Sequence, residues 1–195
     1  MDGENQLFMH NVANYLATRS IIVPTDFTDP GGRRLTNGQL YQFDLQPMAA
    51  GNEVHVQGAA VLVLLTVMAH RGTAAGRYTH GITAMWLAGP PMGGRNTAPL
   101  PAGANYVFTE SLGGCSVYIQ GGNIIHDYSG NVPGGVAANQ QVSEPYAGSV
   151  AGHFEQTCAV AYLAGGAWHI GTSVPHDVMG YQRTHTASGY HFLGH

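Results

Sequence analysis

At 195 residues, with 9% of them charged and a formal net charge of −4, the chain is long enough to bury one sizeable core. It has no basic stripe to neutralise phosphates, which argues against nucleic acid as a partner. Two cysteines rule out a disulfide-built scaffold, though a Cys115–Cys158 bridge stays open, and the longest apolar run, Gly58 to Ala69, is well short of the roughly 20 residues a membrane-spanning helix needs.

In chain order, Met1 to Gln6 has no basic region followed by an apolar core and is not a standard secretory signal, so an exported protein would use another route or be cut from a longer precursor. Leu7, Phe8, Val12, Tyr15 and Leu16 recur at helical spacing and predict an amphipathic helix between Asn5 and Arg19. Thr25 to Gly38 reads as a surface loop. Strands are expected at Leu40–Leu45, Glu53–Gln57, Ala59–Ala69, Gly81–Leu87, Tyr106–Thr109, Cys115–Gln120, Asn123–Tyr128, Thr157–Leu163 and Ala167–Ser173. Ala88 to Gly103 and Ser129 to Gly152, rich in Gly and Pro or Asn, are expected to be loops flanking the strands that carry the chemistry. The fold class that follows is α+β, mainly β: an antiparallel β-sandwich with peripheral helices, as a single domain over 1–195. Lysine is absent and all seven basic residues are arginine. Codon bias explains this, and so does avoidance of ubiquitin acceptors by a bacterial protein at work in a eukaryotic cell.

Two segments place a cysteine eleven residues before a histidine and turn at a Gly-Gly between them. In the first, a two-residue turn at Gly121-Gly122 pairs Gln120 with Asn123 and Val117 with His126. Cys115 is then a diagonal neighbour of His126 on the same face, roughly 7–8 Å away along the backbone, and a one-residue slip would turn the histidine to the other face. In the second, Gly165-Gly166 pairs His169 with Tyr162 and leaves Cys158 about 13 Å along the strand. Cys158 is therefore read as a core residue.

A free thiol is mostly protonated at neutral pH, so a nucleophilic cysteine needs a base or positive field beside it, and His126 can supply both. Cys115 would attack a carboxamide carbon, backbone N–H groups at Gly113-Gly114 would hold the oxyanion, and His126 would protonate the departing ammonia and activate the water that hydrolyses the thioester. The outcome is glutamine to glutamate. Thr109 is the candidate third group that fixes the imidazole, ahead of Asp127, which should point to the other sheet face. No cofactor is called for.

The segment Phe108 to His126 resembles the glutamine deamidase toxins that include Burkholderia lethal factor and the catalytic domain of cytotoxic necrotizing factor. That family carries a Leu-Ser-Gly-Cys motif with a histidine about a dozen residues later, and in the lethal factor a Phe-Thr pair with threonine six positions before the cysteine. Here stand Leu112-Gly113-Gly114-Cys115, then His126, with Phe108-Thr109 upstream, and Val160-Ala161-Tyr162-Leu163 is a fainter echo. Gly113 replaces the motif serine. The resemblance implies Cys115 as nucleophile, His126 as acid–base, Thr109 as its partner, a β-sandwich, and as substrate a host regulatory protein with a reactive glutamine. It also implies secretion or injection into the host cytosol from a bacterium.

Three alternatives remain open. His185, His191 and His195 cluster near the C-terminus, although no His-Glu-x-x-His or paired Cys-x-x-Cys supports a metal site. A non-catalytic β-sandwich binding module would use Tyr146, Trp168, Tyr181 and Tyr190. A related Cys–His protease or transglutaminase would resolve the thioester differently. The assembly state is not legible.

Overall fold

Asn11 divides the first helical segment in two. The computed structural model describes residues 3–24, 27–48, 54–56, 59–68, 81–143 and 153–179, and it opens with α1 (Gly3–His10) and α2 (Val12–Thr18). Asn11 is extended, and its side chain accepts from the Asn14 N–H at 3.0 Å, capping α2 where one continuous helix was expected. Phe8, Val12, Tyr15 and Leu16 are buried as their spacing predicts, whereas Leu7 points to solvent. Buried Asn5 ties α1 to the body, donating to Asp44 Oδ1 at 2.6 Å and accepting the Leu45 N–H at 2.9 Å.

The strands that follow are β1 (Arg19–Ile22), β2 (Leu40–Pro47), β3 (Val54–Val56), β4 (Val61–Val67), β5 (Ile82–Leu87), β6 (Arg95–Pro99) and β7 (Tyr106–Thr109). After them come β8 (Ser116–Gln120), β9 (Asn123–Asp127), a 3-10 turn at Ala138–Gln140, and β10 (Gln141–Ser143). The described chain closes with β11 (His153–Gln156), β12 (Ala159–Ala164), β13 (Ala167–Thr172) and β14 (His176–Met179). A seven-stranded sheet has the order β1-β4-β2-β5-β7-β12-β13, a four-stranded sheet β10-β8-β9-β6, and a small third sheet β11-β14-β3. The fold is α+β and mainly β, as composition and turn spacing predict.

The two larger sheets pack face to face. One face of the seven-stranded sheet carries Phe43, Trp86 and Phe108, which with Cys158, just before β12, pack against Phe8 and Tyr15 of the helices in an aromatic core. The other carries Met85, Leu87, Val107, Ala159, Ala161 and Ile170, which meet Ala98, Val117, Ile119 and Ile124 of the four-stranded sheet in an aliphatic core. Alternation explains the division: Ile82, Ala84 and Trp86 of β5 enter the first core, Met85 and Leu87 the second.

Three differences from the sequence reading have physical causes. The sheet is not wholly antiparallel, because β1 runs parallel to β4 and β5 parallel to β7. A parallel pair needs a long connection, which Ala88 to Asn105 supplies by crossing into the second sheet as β6. Within the span read as a loop from Ala88 to Gly103, Arg95–Pro99 is thus an edge strand on β9. It buries one apolar side chain, Ala98, and ends in proline, which an edge tolerates, so its sequence carries little strand signal. Likewise, the span from Ser129 to Gly152 contains β10, paired to β8. The expected strand ends at residues 53, 57 and 69, and residues 144–152, lie outside the described residues, as do Tyr146, Tyr181, Tyr190, His185, His191 and His195.

Candidate functional site

The β8–β9 hairpin turns at Gly121 and Gly122, with φ of 59° and 78°, the left-handed values a primed two-residue turn requires. Its register pairs Gln120 with Asn123 and Val117 with His126, as the glycine pair predicts. Val117, Ile119, Ile124 and, by alternation, His126 face the inter-sheet core, and Cys115, immediately before β8, packs against that core too. Asp127 faces the opposite side of the sheet. There it pairs with Arg95, accepts the Ser129 N–H at 2.9 Å, and takes a 3.4 Å hydrogen bond from Tyr118 Oη. Burial opposes ionisation of Asp127, but the Ser129 hydrogen bonds and the Arg95 charge outweigh it and hold the carboxyl below its ordinary range.

His126 has no exposed surface, and neither ring nitrogen has a hydrogen-bond partner. Burial pulls its pKa down to about 4, against the upward pull of the Ala88 carbonyl and the Asp127 charge, so the ring is neutral at pH 7. The cover over it comes from an anchored peptide. Asn96, directly opposite His126 on β6, donates to the Ala88 carbonyl at 3.3 Å and the Gly89 carbonyl at 2.6 Å. Asn37 Oδ1 accepts the Ala88 N–H at 3.1 Å, and the Glu110 carboxylate accepts the Gly89 N–H at 2.7 Å.

Cys115 is half-buried. Burial raises its thiol pKa, opposed by the Gly113 backbone and reinforced by the charges of Asp127 and Glu110. Leading into it, Leu112 and Thr157 exchange backbone hydrogen bonds of 2.8 and 3.1 Å, and Ser111 Oγ is buried without a partner. Gly114 has φ of 94°, and a Cβ added at Gly130 would lie 2.8 Å from the Gly114 carbonyl oxygen, so both positions require glycine. Gly113 precedes this turn, in the loop pinned to Thr157.

Thr109, at the end of β7, is buried and on the face of Val107, toward the same inter-sheet layer. Its hydroxyl is 3.1 Å from the Ala159 carbonyl and 3.0 Å from the Glu110 carbonyl, and it makes no hydrogen bond to His126. The structure thus brings Cys115, His126 and Thr109 to one layer without joining them by hydrogen bonds. Sequence reasoning missed Ser111, Asn96 and Glu110. Asn96 carried no signal because β6 reads as a loop, and the other two become notable only through contacts distant in the chain.

The second hairpin behaves as its register predicts. His169 pairs with Tyr162 and stacks on it, with ring centroids 5.6 Å apart. Cys158 is fully buried in the aromatic core, its thiol pushed up to about 12 by burial, with Sγ 3.5 Å from the Ala159 carbonyl oxygen. Both cysteines are free thiols. Among the described residues, no three His, Cys, Asp or Glu side chains group as a metal site, and no helix is long and apolar enough to cross a membrane.

No protein-family model matches the chain, and no curated protein matches it.

Proposed function

We propose that the chain is a Cys–His amidohydrolase that deamidates a glutamine of a host regulatory protein, with Cys115 as nucleophile and His126 as acid–base. The observation that carries this reading is the β8–β9 register, which sets Val117 opposite His126 and so brings Cys115 and His126 to one face. A neutral thiol beside a neutral imidazole favours a particular order of events. His126 takes the thiol proton as sulfur adds to the carboxamide carbon, rather than waiting beside a preformed thiolate. The oxyanion is held by backbone N–H groups of the Gly113-Gly114 turn, the imidazolium returns its proton to the leaving ammonia, and water hydrolyses the thioester to glutamate. The protein acts in the host cytosol after secretion or injection from a bacterium, a reading to which the absence of lysine also lends support.

The test is intact-mass analysis of host lysate proteins after exposure, seeking ammonia release with a gain of about one mass unit at a glutamine. Cys115→Ser must abolish it while the fold persists. A second reading, a non-catalytic β-sandwich module, is favoured by the sealed, partnerless His126. Such a module keeps its cellular effect in Cys115→Ser and releases no ammonia in any form.

A further inference from the structure

A buried polar group is almost always hydrogen-bonded, and one left bare loses its hydration without replacement. His126 departs from that rule at both ring nitrogens while lying between two sheets. His176 provides the contrast within the same molecule: it is equally buried, and its Nδ1 is 3.0 Å from Ser20 Oγ.

We propose that His126 is an acid-sensitive latch, whose neutral ring lets the four-stranded sheet close on the seven-stranded sheet and whose protonation parts the two. The Ala88 carbonyl, which also accepts from Asn96, and the Asp127 charge across the sheet favour an imidazolium, but burial between the sheets outweighs them. The seven-stranded sheet contributes Met85, Leu87, Val107, Ala159, Ala161 and Ile170 to this layer, all apolar. The polar and titratable groups on the elements packed about this layer are the Ala88 carbonyl, the Thr109 hydroxyl, Cys115, Asn96, Glu110 and, across the sheet, Asp127 with Arg95 and Tyr118. Glu110 is engaged with the Gly89 N–H, Asn96 with two carbonyls, and Asp127 with Arg95 on the opposite face. Both charges of that pair are on the outer side. The aromatic core, with Phe8 stacked on Phe108 and Phe43 edge-on to it, lies beyond the seven-stranded sheet and holds the helices independently of His126. Opening is therefore local to the aliphatic layer, and it uncovers Cys115, which packs against that layer, while Cys158 stays sealed in the aromatic one.

The direction with pH follows from linkage. The ring's pKa is about 4 when folded, against roughly 6.5 when free. The closed form thus binds fewer protons, and its stability is whole above about pH 6.5 and lost as pH falls toward 4. Asp127 is held below the ordinary carboxylate range, so its own protonation falls outside the window between pH 5 and 6.5.

The experiment is amide hydrogen exchange on the intact protein at pH 7, 6 and 5, corrected for intrinsic rates. Amides of β6, β8, β9 and β10 should exchange up to about tenfold faster per pH unit below about 6.5, while those of β2 and β4 keep their protection. In His126→Leu that acid response should vanish. Uniform loss of protection in both sheets, no loss in either, or an unchanged response in His126→Leu overturns the proposal. Should the variant fail to fold, the nitrogen chemical shifts of His126 in the native protein decide: a titration midpoint near 6.5 overturns the latch, and one well below it upholds it. The test needs no substrate, so it stands or falls apart from deamidation.

Discussion

The two glycine-turned hairpins place a cysteine and a histidine at the same distance in sequence, yet the protein uses them in opposite ways. In β8–β9 the Cys115 position lies two residues beyond the partner of His126, and in β12–β13 Cys158 lies four beyond the partner of His169. A turn displaced by one residue relative to the cysteine moves the pair apart by two strand positions, about 6–7 Å. Each cysteine also faces a different core. Cys115 meets the aliphatic layer at its margin and Cys158 lies within the aromatic one. A Cys-to-His spacing therefore carries no chemistry until the turn fixes the register.

The sharpest way to break this comparison is to remove each sulfur in turn. Cys115→Ser should abolish ammonia release, by about a thousandfold or more, because an unactivated hydroxyl cannot replace the thiol, and Cys158→Ser in the protein that still folds should retain it. Equal loss in both, at equal folded fractions, would erase the functional distinction between the hairpins.

Alkylation tests the distinction without a substrate. Cys115 reaches water, so iodoacetamide should modify it in the native protein with a pH midpoint above that of an ordinary exposed thiol, in keeping with the burial that raises its pKa. Cys158, with no exposed surface and a thiol pushed up to about 12, should stay unmodified until the protein unfolds. Peptide mapping reads the ratio, and comparable labelling at both positions would contradict the assignment of Cys158 to the core. In stability the order reverses. Cys158→Ser places a hydroxyl among Phe108 and its neighbours and should cost about 1–3 kcal/mol in denaturant unfolding, against a much smaller cost for Cys115→Ser.

Both registers were legible in the sequence, since a Gly-Gly between two short strand-forming runs defines the loop length and, with it, which residues oppose each other. The closure over His126 was not. It depends on β6, whose Arg-Asn-Thr-Ala-Pro sequence buries one small side chain, and on the Ala88–Gly89 peptide, which Asn37, Asn96 and Glu110 hold from three separate parts of the chain. No local pattern encodes such a cluster. β1 escaped notice for a related reason: Arg19–Ile22 is four residues long, follows the helix without a break, and pairs with β4 across some forty residues. Thr109 is expected to fix the His126 ring through its hydroxyl, but that hydroxyl is engaged by the carbonyls of Ala159 and Glu110, which are tertiary facts.

The glycines sharpen the comparison at the smallest scale. Gly165 and Gly166 have φ of 59° and 78° with nothing within 4 Å of an added Cβ, so alanine at either should cost only the left-handed backbone penalty, roughly 1–2 kcal/mol. Gly130, with φ of 68°, carries the same penalty and adds a contact of 2.8 Å with the Gly114 carbonyl oxygen, a backbone atom that has no rotamer by which to retreat. Gly130→Ala should therefore cost more than Gly165→Ala in urea unfolding, and the excess should come with a displaced Gly114–Cys115 segment, read as faster alkylation of Cys115. Equal costs for the two alanines would mean that the loop before Cys115 yields freely, in which case the Gly113-Gly114 turn could not hold an oxyanion in place.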